Sequence, residues 1–427
     1  MRYLTAFCFL FAFMLPLYTG LSNFFLVSIL LFSFYKHVKN RKVILKGIKW
    51  NILLLSTVPL FILHLFGAIY TDYSSDSFHY LEKTISFLLV PLVFIYFCPL
   101  ELRKIKGMLL KGLFYGSIVS ILYLTAFNLY RYFSSQDSLH IGYDILGYYH
   151  TYIHFTRPID QHPTYLGVYY LTALLFLKHI NLKKQIKNLA IILLCLGILL
   201  VNSRVVFIGL FILVFFKALQ KALKYIRLKK IKKLVLFTVV FGGILILSIN
   251  IISSTYIGDR FINIARFEML TTPEGKVNSR THSNPRFSRY ISAFKLIKEK
   301  PIIGYGVADE YPRLKEQFKK DGLFYAAEEG YNAHNQFIGF AIRFGAIGLL
   351  VLSFFLISNI RLAIVTKEFN YALLGLIITC VSLTENYFDR NFGITFIAMF
   401  FTVFLYSIFP KKHITLLERS KESISLF

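Results

Sequence analysis

Residues 331–360 read YNAHNQFIGFAIRFGAIGLLVLSFFLISNI. A polar pentad, Tyr331-Asn332-Ala333-His334-Asn335, runs into an apolar segment, 335–360, whose one formal charge is Arg343. A bilayer core takes roughly 20 apolar residues of helix to cross, so this segment is long enough to span one. Upstream the reverse holds. Ser253 to His334 is the one long polar stretch of the chain, rich in arginine, and the only part outside apolar runs large enough to hold an active site.

Working outward, further apolar runs occupy 3–19, 21–35, 50–70, 84–99, 108–130, 163–180, 188–201, 205–218 and 234–252, and after 335–360 also 369–384 and 392–409. Composition agrees: 56% of the 427 residues are hydrophobic, with 45 Phe and 28 Tyr and a mean hydropathy of +0.59. Soluble domains average about 45–50% apolar. The sequence therefore predicts an all-α polytopic membrane protein with about 12 transmembrane helices. Arg2 followed by an apolar run imitates a secretion signal, but no small-residue cleavage site is evident near Leu17–Asn23, so an uncleaved first helix is expected.

The net charge of +26 suggests nucleic acid until its placement is read. Lys36, Lys39, Arg41, Lys42, Lys46 and Lys49 follow the second run; Arg103, Lys104, Lys106 and Lys111 the fourth. Lys178, Lys183, Lys184 and Lys187 follow the sixth, and the eighth is followed by eight basic residues from Lys217 to Lys233. Arg361 and Lys367 come after the tenth, Lys411, Lys412 and Arg419 after the last. Every second loop is basic, as topology requires when basic loops stay cytoplasmic. That reading excludes a nucleic-acid partner, and puts both termini inside and 71–83, 131–162, the short Asn202-Ser203-Arg204 turn, 253–334 and 385–391 outside. The expected units are transmembrane helices 1–252, the large outer loop 253–334, helices 335–410 and a cytoplasmic tail 411–427. The cysteines, Cys8, Cys98, Cys195 and Cys380, sit in or at the ends of apolar runs and make no disulfide or zinc pattern.

Inside the outer loop, Phe287, Tyr290, Ile291, Phe294 and Ile297 repeat at helical spacing, with Arg289, Lys295 and Lys298 off the stripe. This predicts an amphipathic helix from Asn284-Pro285 to Pro301, on the membrane surface or against the bundle. Gly304-Tyr305-Gly306 predicts a tight turn, and 307–330 a second short helix and a connection.

The chemistry-bearing candidates follow from position. Arg204 lies between two apolar runs with almost no loop, where a poorly hydrated guanidinium seeks an anion and can fork onto phosphate; its bland role is snorkelling to headgroups. Arg260, Arg266, Arg280, Arg286, Arg289 and Arg313 populate the loop, most of them readable as a solvated face. Arg286 and Arg289 start the amphipathic helix, where the helix end favours an anion. His334, at the loop–membrane boundary, can be neutral near pH 7 and take a proton from a hydroxyl; alone it would read as an interfacial polar residue. His162, opening the run His162-Pro163-Thr164-Tyr165-Leu166-Gly167, fits a helix start and cavity lining better than chemistry. The acids Asp72, Asp76, Glu385 and Asp389 fall on outer turns without metal-ligand spacing, and the first outer turn, Tyr18 to Asn23, has none. Metal-free catalysis, with arginines in place of a cation, is expected.

One ordered set of motifs ties these together: Asn202-Ser203-Arg204, then Phe287-Ser288-Arg289-Tyr290 leading to Lys300-Pro301-Ile302-Ile303-Gly304-Tyr305-Gly306, then Ala333-His334-Asn335-Gln336-Phe337 and Arg343-Phe344-Gly345-Ala346-Ile347-Gly348. With the helix layout and the single large outer loop, this resembles the O-antigen ligase family, whose superfamily also holds Wzy-type polysaccharide polymerases. The motifs cover about 160–350. The resemblance implies a GT-C-like fold in a bacterial inner membrane. It implies metal-independent, inverting transfer of a glycan from undecaprenyl pyrophosphate to lipid A–core, or to another glycan in a polymerase, on the periplasmic face. No cofactor is implied. By position Arg204 and Arg289 would hold the pyrophosphate, with Arg286 able to take the part of Arg289, and His334 would activate the acceptor hydroxyl. A glycolipid transporter is the reading from another class, and would call for charges deep in helices, whereas the polar groups concentrate in the outer loop. A shape-and-division peptidoglycan polymerase would lean on an outer-loop aspartate such as Asp309.

Overall fold

The computed structural model of the protein describes residues 1–39, 51–134, 146–239, 242–243, 256–269 and 284–409. Arg41, Lys42, Lys46, Lys49, Arg280, Lys411, Lys412, Arg419, most of the ninth apolar run and the tail 411–427 lie outside the described residues. Every regular element among the described residues is helical. In chain order the principal helices are α1 (Arg2–Met14), α2 (Thr19–Lys39), α3 (Val58–Gly67), α4 (Ser74–Thr84), α5 (Ser86–Phe94), α6 (Pro99–Phe133), α7 (Pro163–Phe176), α8 (Lys184–Val201), α9 (Arg204–Arg227), α10 (Arg286–Glu299), α11 (Glu310–Lys320), α12 (Gln336–Val365), α13 (Phe369–Ser382) and α14 (Asn391–Ile408).

Six of these, α2, α6, α8, α9, α12 and α14, are long and apolar enough to cross a membrane, while α1, α3 and α13 are apolar but shorter. The shortness has local causes. The run at 50–70 is split into Ile52–Leu55 and α3, with Ser56 extended between them and a proline in the first turn of α3. The run at 84–99 yields only the nine residues of α5, with Pro91 inside it. Proline removes a helical N–H and crowds the preceding turn, so such runs break.

The break that positions the site is in α12. Gly345 has φ +59 and ψ −149, which interrupts the helix. A break in a lipid-spanning helix frees backbone groups that need partners inside the protein. The turn Pro301–Gly306 supplies them. Tyr305 and Gly306 donate their N–H groups to the carbonyls of Ile342 and Arg343, both at 2.9 Å, while Ala346 donates to Pro301 at 2.8 Å and Ile347 to Ile302 at 3.3 Å. Glycine is required on both sides of this splice. A Cβ on Gly345 would come within 2.3 Å of the Ile302 backbone, and one on Gly304 (φ +69) within 2.5 Å of Arg343. The Tyr70 hydroxyl, beyond the end of α3, donates to the Ile303 carbonyl at 2.6 Å and fixes the turn from a third side.

Residues 284–334 of the long loop are thereby a folded layer with a small core, built with the start of α12 from Ala293, Leu296, Tyr305, Leu314, Phe318, Leu323, Ala326, Ala327, Ala333, Ile338 and Ile342. The amphipathic helix expected from Asn284-Pro285 to Pro301 is α10. Its buried face is Ser288, Arg289, Ser292, Ala293 and Leu296, while Phe287, Ile291 and Phe294 are exposed. Three of the five stripe residues are thus exposed, while Tyr290 and Ile297 pack against the core of the loop. Residues 307–330 hold two helices, α11 and Phe324–Glu328, where one was expected.

Candidate functional site

Three helix ends and one short helix bring the arginines together. Asn202 closes α8 in the left-handed conformation (φ 46), Ser203 is the N-cap of α9, and Arg204 is its first residue. The Thr164 and Ser203 hydroxyls hydrogen-bond at 3.0 Å and tie this turn to the start of α7. Arg286 and Arg289 lie on the first turn of α10, next to Glu268 from the short helix Ala265–Glu268. Glu268 Oε2 accepts from the Arg286 backbone N–H at 2.9 Å and sits 3.7 Å from both the Arg286 and Arg289 guanidiniums. Arg204 is within electrostatic reach of Arg286, Glu268 and Arg260. Arg260 is buried and lies flat over the Tyr152 ring, 3.5 Å from its centre, while Arg289 lies 5.0 Å from the centre of the Tyr331 ring.

This cluster is under-satisfied. Arg260 Nη1, Arg286 Nε and both Nε and Nη1 of Arg289 are buried and find no hydrogen-bond acceptor among the described residues. A buried donor left without a partner costs about 1–3 kcal/mol. Burial, with Arg286 adjacent, pulls the Arg289 guanidinium down to about 10, against the pull of Glu268. It remains a cation at neutral pH, held where its charge is poorly compensated.

His334 stands at the edge of this cluster, 5.8 Å from the Tyr331 ring centre. Its backbone is left-handed, φ +46, a region histidine tolerates better than most residues but which still costs about 1–2 kcal/mol. Two side chains hold it there. Asn332 Oδ1 accepts the His334 N–H at 2.9 Å, and Asn335 Oδ1 caps α12 by accepting from Phe337 (3.0 Å) and Ile338 (3.2 Å). Its Nδ1 faces Glu385 Oε2 at 3.6 Å, longer than a formed hydrogen bond but close enough to orient the ring. A proton on Nδ1 then points at the carboxylate, which leaves Nε2 to accept one.

The protonation states follow from the neighbours. Burial pushes His334 below its usual range; Glu385 opposes this and Arg289 and Arg286 add to it. Burial likewise pulls His162 down to about 4. Burial alone would raise the Glu385 carboxyl, but His162, His334 and Arg286 outweigh it and hold it near 2. With both imidazoles neutral at pH 7, Arg286 is the lasting cation; it also donates to the Thr384 carbonyl at 3.1 Å, one residue before Glu385. His162 caps α7 through Nδ1, which accepts from Thr164 at 3.3 Å, and lies within the electrostatic reach of Glu385.

Beside this lies a second charged network of opposite character. Arg343, fully buried, donates through one Nη2 to both oxygens of Asp389 at 2.7 Å, and its Nε is 3.3 Å from Glu310. Asn386 bridges the two carboxylates, donating to each at 3.1 Å, and Gln336 donates to Asp389 at 3.2 Å while accepting from the Phe388 N–H at 2.7 Å. Glu310 also accepts from Ala333 at 3.4 Å, one residue from His334. The network staples α11, α12 and the turn 383–390 around the histidine.

The structure thus brings Arg204, Arg286, Arg289, His334 and His162 into one neighbourhood. Arg313 is elsewhere, paired with Asp72 and Asp309. Glu268, Glu385, Tyr152 and Tyr331 belong to the same neighbourhood, a place that the sequence gives to none of them. Glu385 and Asp389, scattered acids on an outer turn in the sequence, are inward-facing partners of His334 and Arg343. Arg343 itself breaks the expectation that charge stays in the outer loop. A lone arginine in an apolar run was its signal, because such a charge needs a partner. Among the described residues no three carboxylate, imidazole or thiol groups converge closely enough to hold a metal ion.

Residues 189–353 match the family described as O-antigen ligase, which bears out over that stretch the resemblance read from the motifs. The matched region contains Arg204, Arg286, Arg289, His334 and Arg343, whereas His162, Glu385 and Asp389 lie outside it. No curated protein matches the chain. With six helices among the described residues apolar and long enough to span a bilayer, the chain is an integral membrane protein with a region that matches the O-antigen ligase family.

Proposed function

We propose that the protein transfers a glycan from a lipid-linked pyrophosphate carrier, undecaprenyl pyrophosphate, to a sugar hydroxyl at the periplasmic face of the inner membrane, with inversion and without a metal. The observation that carries this reading is the imbalance of the first cluster. Among the described residues, four guanidiniums, Arg204, Arg260, Arg286 and Arg289, face the carboxylates Glu268 and Glu385, and four of their buried nitrogens find no acceptor there. That is a site prepared for a polyvalent anion that arrives with its own oxygen acceptors.

The chemical step assigns each group a part. An acceptor hydroxyl oxygen attacks the anomeric carbon, and its proton passes to His334 Nε2. The bond from that carbon to the pyrophosphate oxygen breaks, and the electron pair leaves with the pyrophosphate. Charge grows on that oxygen in the transition state, where Arg286, Arg289 and Arg204 oppose it; fixed charges of this kind act without reorganising. Glu385 orients the imidazole and stabilises its protonated form. Attack opposite the leaving group inverts the anomeric centre.

Lipid A–core is the proposed acceptor; a Wzy-type polymerase would run the same step onto another glycan. The test is surface-glycan profiling in a strain lacking the gene, complemented at matched membrane levels with wild type, His334→Ala, Arg204→Ala or Arg289→Ala. Loss of transfer in all three variants is expected. Normal glycan with His334→Ala would remove the base and the site with it. Carrier-linked polymer without core-linked glycan marks a ligase, and a single repeat unit on the core marks a polymerase. Carrier-linked glycan trapped on the cytoplasmic side would point to a transporter.

A further inference from the structure

A cavity of about 320 Å³ opens at Asn332, two residues before the histidine, which does not itself line it. Tyr80 and Lys83 of α4, Tyr311 of α11, Asn332, Asp389 and Arg390 form its walls, and Glu310 its floor. None of Arg204, Arg260, Arg286, Arg289 and Glu268 lines it. It lies at the small end of ligand pockets, which run about 300–1,000 Å³, enough for one sugar ring and its substituents.

Its chemistry is mixed in a particular way. Glu310 and Asp389 are already bound to Arg343 and Asn386, so they are fixed acceptors rather than free charges. Lys83 and Arg390 are exposed and make no ion pair among the described residues. Tyr80 and Tyr311 add aromatic surface that a ring's apolar face can cover. An apolar ligand would leave these polar groups unpaired, and a simple anion would meet two carboxylates. A polyhydroxylated ring satisfies donors and acceptors together. Asn332 joins the cavity to the site: it accepts the His334 N–H at 2.9 Å and donates to the Tyr311 hydroxyl at 3.3 Å.

We propose that this cavity is the acceptor-sugar subsite, taking the carbohydrate ring whose hydroxyl is presented to His334, while the arginine cluster takes the carrier pyrophosphate. This rests on the transferase reading above and adds where the acceptor sits.

The experiment uses the full chain purified in detergent and reads binding rather than turnover. The probe is the oligosaccharide released by mild acid from envelope glycolipids of the deletion strain, radiolabelled at its reducing end, in equilibrium dialysis. Wild type and Arg289→Ala, which removes a pyrophosphate contact and no acceptor contact, are expected to bind alike. Tyr311→Ala and Arg390→Ala, both at exposed positions, are expected to weaken binding about tenfold, the first by losing an aromatic face and the second a charge-assisted hydrogen bond; Lys83→Ala serves as a third variant should either elute as aggregate. Absence of binding by wild type, equal binding by all variants, or loss confined to Arg289→Ala would each overturn the assignment. Transfer in cells that survives His334→Ala would sink the transferase step while leaving a cavity-dependent binding result in place, so the two failures are told apart.

Discussion

Two clusters of arginine and carboxylate, drawn from several helices, meet at the turn 383–390, and they are built to opposite rules. Around Arg343, two carboxylates converge on one guanidinium, and amide side chains cross-link them. Around Arg289, guanidiniums crowd one another and share Glu268 at 3.7 Å, and among the described residues four buried nitrogens of Arg260, Arg286 and Arg289 find no acceptor, against one, Nη1, on Arg343. The first arrangement is what a folded chain does with a charge it must bury. The second leaves charge uncompensated, which costs stability and makes sense where an anion arrives from outside. On the function proposed above, the difference assigns the first cluster to architecture and the second to the anion.

That contrast is tested most severely at Arg343. Arg343→Ala strips both carboxylates of their cation, and breaking a buried pair in this way costs about 3–5 kcal/mol. Thermal unfolding of the purified protein should show a large drop, with transfer lost only because the fold is lost. A variant as stable as wild type would mean the network is not the staple described here.

Arg289→Ala should do the reverse. Transfer is expected to fall about 10²–10³-fold, as when one oxyanion partner is removed. The melting temperature should hold or rise, because a like-charge neighbour of Arg286 has gone. A large loss of stability with transfer intact would place Arg289 in the architectural class.

Which of this was legible in the sequence follows the same division. The 335–360 run announced α12, and the stripe from Phe287 announced α10, because helical period and bilayer length act locally. The loop arginines and His334 stood out as polar groups at a membrane boundary. The break at Gly345 was quoted as a motif but not as a break: its cause is the Pro301–Gly306 turn, more than thirty residues away, which takes up the freed backbone groups. The places of Glu385 and Glu268 were invisible because a single acid has no spacing, and only the fold sets one beside His334 and the other between Arg286 and Arg289. Sequence showed which groups were chemically costly to place, and the fold was needed to show which were left uncompensated.

Glu385 belongs to the functional side of the contrast and gives a finer test. Glu385→Gln keeps the shape and removes the charge that favours protonated His334. The His334 pKa, already lowered by burial, should fall further. Activity needs the neutral imidazole and rises with pH through that pKa, so the acid limb of the rate profile should move to lower pH. The plateau rate should drop about 10–100-fold, the scale seen when a histidine loses its orienting carboxylate. An acid limb that moves upward would contradict the pairing.

The smallest effect falls at the join between the two clusters. Asn335 caps α12 through one oxygen that accepts from Phe337 and Ile338, and losing such a cap costs about 1 kcal/mol. Asn335→Ala should therefore lower the melting temperature slightly and reduce transfer only through a looser His334. Asn335→Asp should restore both, because a carboxylate accepts the same two bonds and suits a helix N-terminus. If Ala cut transfer sharply with no change in melting, and Asp failed to rescue it, Asn335 would be touching substrate rather than holding the helix. The boundary between the architectural and the functional cluster would then lie one residue further into the membrane segment.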